Sequence, residues 1–104
     1  MIQIYPITDY IDGEKVSYTA IEVELPLTKL LIVMTERGYI MCGALDVALL
    51  NERLTDRRII AGRAVGVKTI QQLLEAPLES ITLEAEQIGI QVGMSGYDAL
   101  RLMR

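Results

Sequence analysis

The sequence predicts a single α+β domain over residues 1–104, because strand-like patterns fill its first half and helix-like patterns dominate its second. Hydrophobic residues alternate with polar ones or form short runs as far as Cys42, and helical spacing begins after it. A chain of 104 residues has room for one hydrophobic core. Strands that precede helices are typical of the α+β class. We therefore expect a largely antiparallel N-terminal sheet, a buried helix after a hairpin, and short C-terminal helices.

The predicted strands fill the first part of the chain. Pro6 favours an edge position for the first strand, because proline has no N–H to donate, and Asp12-Gly13 signals a turn. Over residues 16–25 the hydrophobic alternation changes phase, which predicts either a bulge or a strand buried on both faces. Leu30–Met34 is a continuous hydrophobic run, which predicts a strand covered on both sides. A tight connection then leads into Tyr39–Cys42 and completes a hairpin.

The helical pattern runs from Ala44 to Leu54, and Thr55-Asp56 predicts its end. Hydrophobic residues surround most of this segment, which predicts a buried helix. One further strand and three short helices are expected after it. They are a strand over Arg58–Val65, a helix capped by Thr69 that ends near Glu75, a helix over Ser80–Gln87, and a last helix capped by Ser95.

The composition excludes several classes of function. There are 14 acidic and 10 basic residues, so no basic face for a nucleic acid is expected. The chain has no histidine, which removes imidazole-based nucleophile pairs and imidazole metal ligands, and we expect no metal and no cofactor. A single cysteine, an N-terminus unlike a signal peptide and the lack of a long apolar run predict a soluble cytoplasmic protein that does not bind membranes.

The hydrophobic content predicts self-association. Hydrophobic residues, tyrosine included, make up 51% of the chain. Counted with glycine and without tyrosine, their share exceeds the usual value of about 45–50%. A small domain with more hydrophobic residues than its own core needs often buries the surplus against copies of itself.

Cys42 is the strongest single candidate for chemistry. If Gly43 or Ala44 opens the following helix, the thiol lies at a helix N-terminus, where the dipole favours a thiolate, and Gly43 would let a ligand approach the backbone. Asp46 acts against this, because its negative charge disfavours a neighbouring thiolate. Three interpretations stay open for Cys42: a small buried core residue, a ligand contact, and a nucleophile or redox sensor.

The second candidate is the loop from Gly62 to Thr69, GRAVGVKT. A phosphate-binding loop of the GxxxxGK[ST] type needs its lysine directly after the second glycine. Here Val67 separates Gly66 from Lys68 and the glycines are one position too close, which excludes that loop. One remaining interpretation is a looser anion site that uses Lys68 and the first amides of the next helix. The other is that the two glycines serve a bulge and a turn.

Several motifs resemble the YunC-like family of bacterial and archaeal domains of unknown function. They are GYIMCGALD, a GVKT segment that leads into a helix with LL, and IGIQVGMSGYDAL. The more specific marks are Cys42-Gly43, Gly66–Thr69 and Gly93-Met94. The resemblance implies an N-terminal β-sheet, here residues 1–42, that mediates tetramer formation. It implies no established activity and supplies no catalytic residues.

Two hypotheses follow, and we favour the first. It is a non-catalytic cytoplasmic protein that assembles as a homotetramer through its N-terminal strands and binds a small molecule near Cys42 and Arg63. The second is a cysteine-dependent enzyme or thiol redox sensor, with Cys42 as nucleophile and Arg63 or Lys68 stabilising the thiolate. The candidate ligand-binding residues are Cys42, Gly43, Arg63, Lys68 and Thr69.

Overall fold

A computed structural model describes residues 1–44, 47–52 and 57–104. Within these ranges six strands form one sheet in the order of the sequence, and four short helices accompany it. The elements are β1 (Ile2–Ile11), β2 (Glu14–Leu25), β3 (Thr28–Met34), β4 (Gly38–Met41), α1 (Val47–Glu52), β5 (Ile60–Arg63), α2 (Ile70–Glu75), β6 (Ser80–Ile81), α3 (Leu83–Gln87) and α4 (Gly96–Leu102). Neighbouring strands are antiparallel except β4 and β5, which are parallel. The predicted α+β class is confirmed.

The first hairpin is regular along its whole length. β1 is an edge strand, as Pro6 predicts, and its pairing with β2 runs from Ile2 opposite Val23 to the Asp12-Gly13 turn without an inserted residue. Both turn residues have positive φ, 52° and 81°, as a tight hairpin turn requires. The predicted bulge in β2 is therefore wrong.

The phase change in β2 instead marks a change in which face of the strand is hydrophobic. Tyr18 and Ala20 are buried, whereas Ile21 and Val23 project to the opposite side and are half-buried. We call the side of the sheet that carries Tyr18 and Ala20 the inner face, and the other side the outer face. The same asymmetry appears in β3, where alternate residues are buried on the inner face only.

This asymmetry corrects the prediction that β3 is covered on both sides. Leu31 and Val33 are 1% and 0% exposed, but Leu30, Ile32 and Met34 remain half-exposed on the outer face. Among the described residues, nothing seals this part of the outer face. The hydrophobic run without alternation thus means that both faces of β3 are hydrophobic. The described part of the chain covers the inner face and leaves the outer face partly exposed.

The helix after the hairpin is present, but it is not the predicted buried helix. Val47 packs on Ala61, on the outer face at the β4–β5 end of the sheet. Of the described residues of α1, Val47 is the buried one, and the Leu49 side chain is 45% exposed. The predicted helix end at Leu54 and the break at Thr55-Asp56 lie outside the described residues.

The C-terminal helices cover the inner face. The largest fully buried side chains come from the sheet, from these helices and from the segments that flank them; they include Tyr18, Leu31, Ile40, Leu73, Leu74, Leu78, Ile90, Leu100 and Met103. The predicted caps are confirmed, because the Thr69 and Ser95 hydroxyls accept hydrogen bonds from backbone amides three residues on. No described helix has both the length and the hydropathy needed to span a bilayer.

The helix predicted over Ser80–Gln87 is shorter than expected. Ser80 and Ile81 form β6 on the edge of the sheet, and the helix begins at Leu83. Thr82 lies between them, and its buried hydroxyl accepts hydrogen bonds from both Ala61 N (3.1 Å) and Ala85 N (3.3 Å). This single hydroxyl caps α3 and attaches the segment to β5, which favours a strand before the cap.

A partly buried ion pair connects β1 to α4, with the Asp9 side chain buried and the Arg101 side chain partly exposed. The carboxylate of Asp9, which is 9% exposed, accepts hydrogen bonds from Arg101 Nε (3.0 Å) and Nη2 (3.2 Å), from the Tyr18 hydroxyl (3.0 Å) and from Tyr10 N (2.9 Å). The bonds from Arg101 hold the pKa of Asp9 below its usual value. Burial and the Asp9 carboxylate raise the pKa of Tyr18 to about 12. Every acceptor site of this carboxylate is occupied by the fold itself.

Candidate functional site

The Cys42 thiol belongs to the inner-face core. Cys42 is 6% exposed, its Sγ accepts a hydrogen bond from Leu31 N (3.5 Å), and it donates weakly to Lys29 O (3.9 Å). Gly43 and Ala44 form a turn rather than the first turn of a helix, so the predicted helix N-terminus beside the thiol is wrong. Asp46 lies outside the described residues. The geometry favours the interpretation of Cys42 as a small core residue, and it offers a thiol-based mechanism no accessible nucleophile.

Arg63 and Gly43 meet in a cleft on the other side of the sheet. This cleft has a volume of about 580 Å³ and lies between α1 and the strands β5 and β6. Its lining consists of Gly43, Ala44, Val47, Ala48, Asn51, Arg63, Glu79, Ser80 and Ile81. Successive residues of a strand project to opposite faces, so Met41 lies on the outer face and Cys42 on the inner one. The structure therefore separates Cys42 from Arg63, which the sequence predicted to act together.

In the described part of the chain, the guanidinium of Arg63 donates a hydrogen bond through Nη1 and has no hydrogen-bond partner at Nε. Its Nη1 donates to Glu79 Oε2 at 3.0 Å, and both side chains are partly exposed. Its Nε is buried and has no hydrogen-bond partner in the described part of the chain, and the same holds for Ser80 Oγ. Arg63 and Ser80 are directly opposite in the β5–β6 ladder, so the two unsatisfied groups stand side by side on one face.

Lys68 and Thr69 lie apart from the Arg63 cleft, and the anion site at this loop stays a prediction. Lys68 lines a second cleft, of about 610 Å³, next to the β2–β3 turn. Thr69 Oγ1 accepts from Gln72 N at 3.1 Å, and Gln72 Oε1 accepts from Lys68 N at 2.8 Å. The amides of Lys68 and Gln72 are thus bonded within the chain, in a variant of the capping box.

The two glycines of this loop have different roles. Gly66 has a φ of +74°, which agrees with the predicted turn. Gly62 lies in the regular part of β5, and a Cβ there would be 2.8 Å from Leu78 Cδ1. The predicted bulge at Gly62 is therefore wrong, because the glycine serves close packing against Leu78.

Sequence reasoning missed Glu79 and Ser80 as parts of the site. A helix over Ser80–Gln87 would have placed Ser80 away from Arg63, whereas strand pairing places it next to Arg63. The β-branched pair Ile81-Thr82 directly after it was the available signal for a strand. In the part of the chain that the structure describes, no three carboxylate or thiol groups converge as metal ligands.

Comparison with known proteins identifies the family. The model of the domain of unknown function DUF1805 matches residues 41–103, which is more than half of the chain. The chain belongs to this family. It is also 58% identical over 103 residues to the uncharacterized protein YunC of Bacillus subtilis (strain 168). The aligned residues cover 99% of this chain and 98% of that protein. The resemblance to the YunC-like family is confirmed.

The fold is shared with a solved structure. The crystal structure of TA1206 from Thermoplasma acidophilum, a protein of unknown function, superposes with a TM-score of 0.79 at 26% identity and covers 99% of this chain and 95% of that chain. The DUF1805 match begins at Met41, so it includes the Arg63 cleft, while β1, β2 and β3 precede it. The described lining of the cleft thus lies within the residues that the family model matches.

Proposed function

We propose that this DUF1805 protein is a non-catalytic, homotetrameric ligand-binding module of the cytoplasm, assembled through the outer face of β1, β2, β3 and β4. One observation carries the assembly: two rows of hydrophobic side chains cross this face. In the ladder register, the first row is Ile2, Val23 and Leu30, and the second row is Ile4, Ile21, Ile32 and Met41. We call these seven side chains the outer rows.

The exposure of the outer rows supports burial against another copy. Ile2 and Ile4 are 66% and 67% exposed, and the remaining members are half-buried. Monomers rarely expose contiguous hydrophobic patches of this kind, whereas interfaces of obligate homo-oligomers resemble a core cut in half. In a two-fold symmetric dimer the same surface patch of each copy meets the other, so a second copy is the simplest partner for this hydrophobic face.

A tetramer needs a second contact in addition to the outer face. β1 supplies one, because it is ten residues long and lies at the edge of the sheet. Long exposed edge strands favour pairing with another chain. Two independent two-fold contacts, one through a face and one through an edge, close into a tetramer.

The cleft supports the ligand-binding half of the proposal. Its volume of about 580 Å³ lies within the range of small-molecule sites, about 300–1,000 Å³. Met41 of the second outer row is paired with Arg63, so the cleft borders the proposed interface. The described lining contains no nucleophile–base pair, and for that reason we propose binding rather than catalysis.

Light scattering after size exclusion, with matched variants, tests the assembly. Ile4→Glu and Ile21→Glu each place a charge in the outer rows, while Gln91→Glu adds the same charge at an exposed loop position far along the chain. Full burial of an isoleucine is worth about 1.5–3 kcal/mol, so burying the two-thirds of Ile4 that is exposed contributes about 1–2 kcal/mol per copy.

We expect a tetramer for the wild type and for Gln91→Glu, and smaller species for both isoleucine variants with unchanged circular dichroism. A monomeric wild type would refute the assembly. Tetramers that persist in both isoleucine variants would remove the interface from the outer rows.

A further inference from the structure

We propose that the Arg63 cleft binds the carboxylate of a small monoanion that has a short apolar body. This inference rests on the ligand-binding half of the proposed function and names the chemical class of the ligand. It starts from the two buried donors without partners in the described chain, Arg63 Nε and Ser80 Oγ. Buried polar atoms in folded proteins are nearly always hydrogen-bonded, so an unsatisfied pair next to a cleft marks the place of a missing acceptor.

The geometry of Arg63 identifies the acceptor as a planar oxyanion. A guanidinium offers two N–H groups along each edge, and Arg–carboxylate pairs are frequently bidentate. Glu79 engages Nη1, which leaves the edge formed by Nε and Nη2 for a second acceptor. Gly43 leaves space at that edge, because even a Cβ there would be 3.7 Å from Nη2. The Ser80 hydroxyl adds a third donor beside it.

The remaining wall of the cleft determines the rest of the ligand. Ala44, Val47 and Ala48 add hydrophobic side chains to the lining. Glu79 already neutralises part of the Arg63 charge, which disfavours a multiply charged anion such as phosphate. A single carboxylate can accept hydrogen bonds from Arg63 and Ser80, and an attached body of a few carbons can pack on the hydrophobic side chains of the lining.

Isovalerate is a suitable probe, with its neutral amide and inorganic phosphate as comparisons. Titration into the wild-type protein can be followed by NMR through backbone amides around the cleft and through the Arg63 Nε–H resonance, which reports directly on the unsatisfied donor. We expect saturable shifts with isovalerate below about 50 mM, no shifts with isovaleramide, and weaker binding of phosphate.

Two cleft variants and one control distinguish bidentate hydrogen bonding by the Arg63 guanidinium from simple attraction by its charge. Arg63→Lys keeps the charge but loses the paired Nε and Nη2 donors, so we expect the affinity for isovalerate to fall about tenfold. Ser80→Ala removes one donor, and we expect a fall of about threefold. Arg57→Lys, a change at an exposed arginine that does not line the cleft, serves as the matched control and should leave affinity unchanged.

Absence of binding, equal affinity in Arg63→Lys, or phosphate binding more tightly than isovalerate at the same residues would overturn the proposal. The oligomeric state of the same samples keeps the two proposals distinct. A tetramer that binds no carboxylate refutes the site and leaves the assembly intact. A monomer that binds isovalerate refutes the assembly and supports the site.

Discussion

Replacing Asp9 by asparagine should destabilise the fold strongly at neutral pH. The substitution keeps the shape of the side chain, but it removes the negative charge that Arg101 faces. It also replaces one carboxylate oxygen by an amide NH2 group, which is a donor placed among groups that themselves donate. Breaking a fully buried ion pair costs about 3–5 kcal/mol. Because the Arg101 side chain is 42% exposed, solvent screens part of this loss. We expect the free energy of unfolding to fall by about 2–3 kcal/mol, which for a domain of this size lowers Tm by roughly 8–24 °C.

The pH dependence gives this prediction its sharpest form. The folded pKa of Asp9 lies below the unfolded value of 3.8, so the ionised carboxylate stabilises the native state. This contribution is complete well above the unfolded pKa and is lost as the pH falls through the folded pKa. The difference between wild type and Asp9→Asn should therefore be largest at pH 7 and should shrink as the pH falls below the unfolded pKa of 3.8 and through the lower folded pKa.

Urea denaturation at a fixed protein concentration, from pH 7 down to about pH 2.5, measures this difference. Asp98→Asn is the control, because Asp98 also contacts Arg101, at 3.5 Å, but its side chain is 60% exposed. Its effect should not exceed about 0.5 kcal/mol. A change below about 0.5 kcal/mol for Asp9→Asn at pH 7, or a difference as large at about pH 2.5 as at pH 7, would refute the reasoning.

Three further predictions concern single positions. Alkylation of Cys42 should be slow in the folded protein and fast after denaturation, because the thiol is buried; fast reaction of the folded protein would contradict its placement in the core. Gly96→Ala should lower the free energy of unfolding by about 2–3 kcal/mol, because a Cβ would lie 2.6 Å from Leu73 O. Gly43→Ala is the control and should lower it by less than about 0.5 kcal/mol, because its nearest contacts would be at 3.7 Å. Equal Tm values for the two variants would exclude this explanation. Leu27→Gly should raise stability by about 0.5–1 kcal/mol, because Leu27 is fully exposed and has a φ of 64°; a lower Tm would show that the residue is not strained.

Local signals in the sequence were sufficient for most of the fold. Turn residues, caps and hydrophobic periodicity predicted the two hairpins, the edge position of β1 and the caps at Thr69 and Ser95. These features depend on interactions within a few residues, so they can be predicted from short windows. The course of Ser80 and Ile81 could not be predicted in this way, because their strand depends on pairing with β5, about eighteen residues earlier.

The candidate site was harder to predict than the fold. Gly43 and Arg63 share a cleft, but Cys42, which we expected beside Arg63, faces the other side of the sheet. Whether residues of two different strands share a face depends on their register, and a shift of one residue reverses the answer. The parallel register that pairs Met41 with Arg63 arises from the α1 crossover, whose geometry no local pattern specifies.

The two tight turns of the β1–β2–β3 meander also bear on how the chain folds. Residues paired across these turns are close in sequence, so the meander can form early and fast, whereas the contacts of α4 with β4 join segments more than fifty residues apart. Until α2 and α4 dock, both faces of this early sheet expose hydrophobic side chains. Refolding should therefore compete with association of unfinished sheets, and its yield should fall as the protein concentration rises.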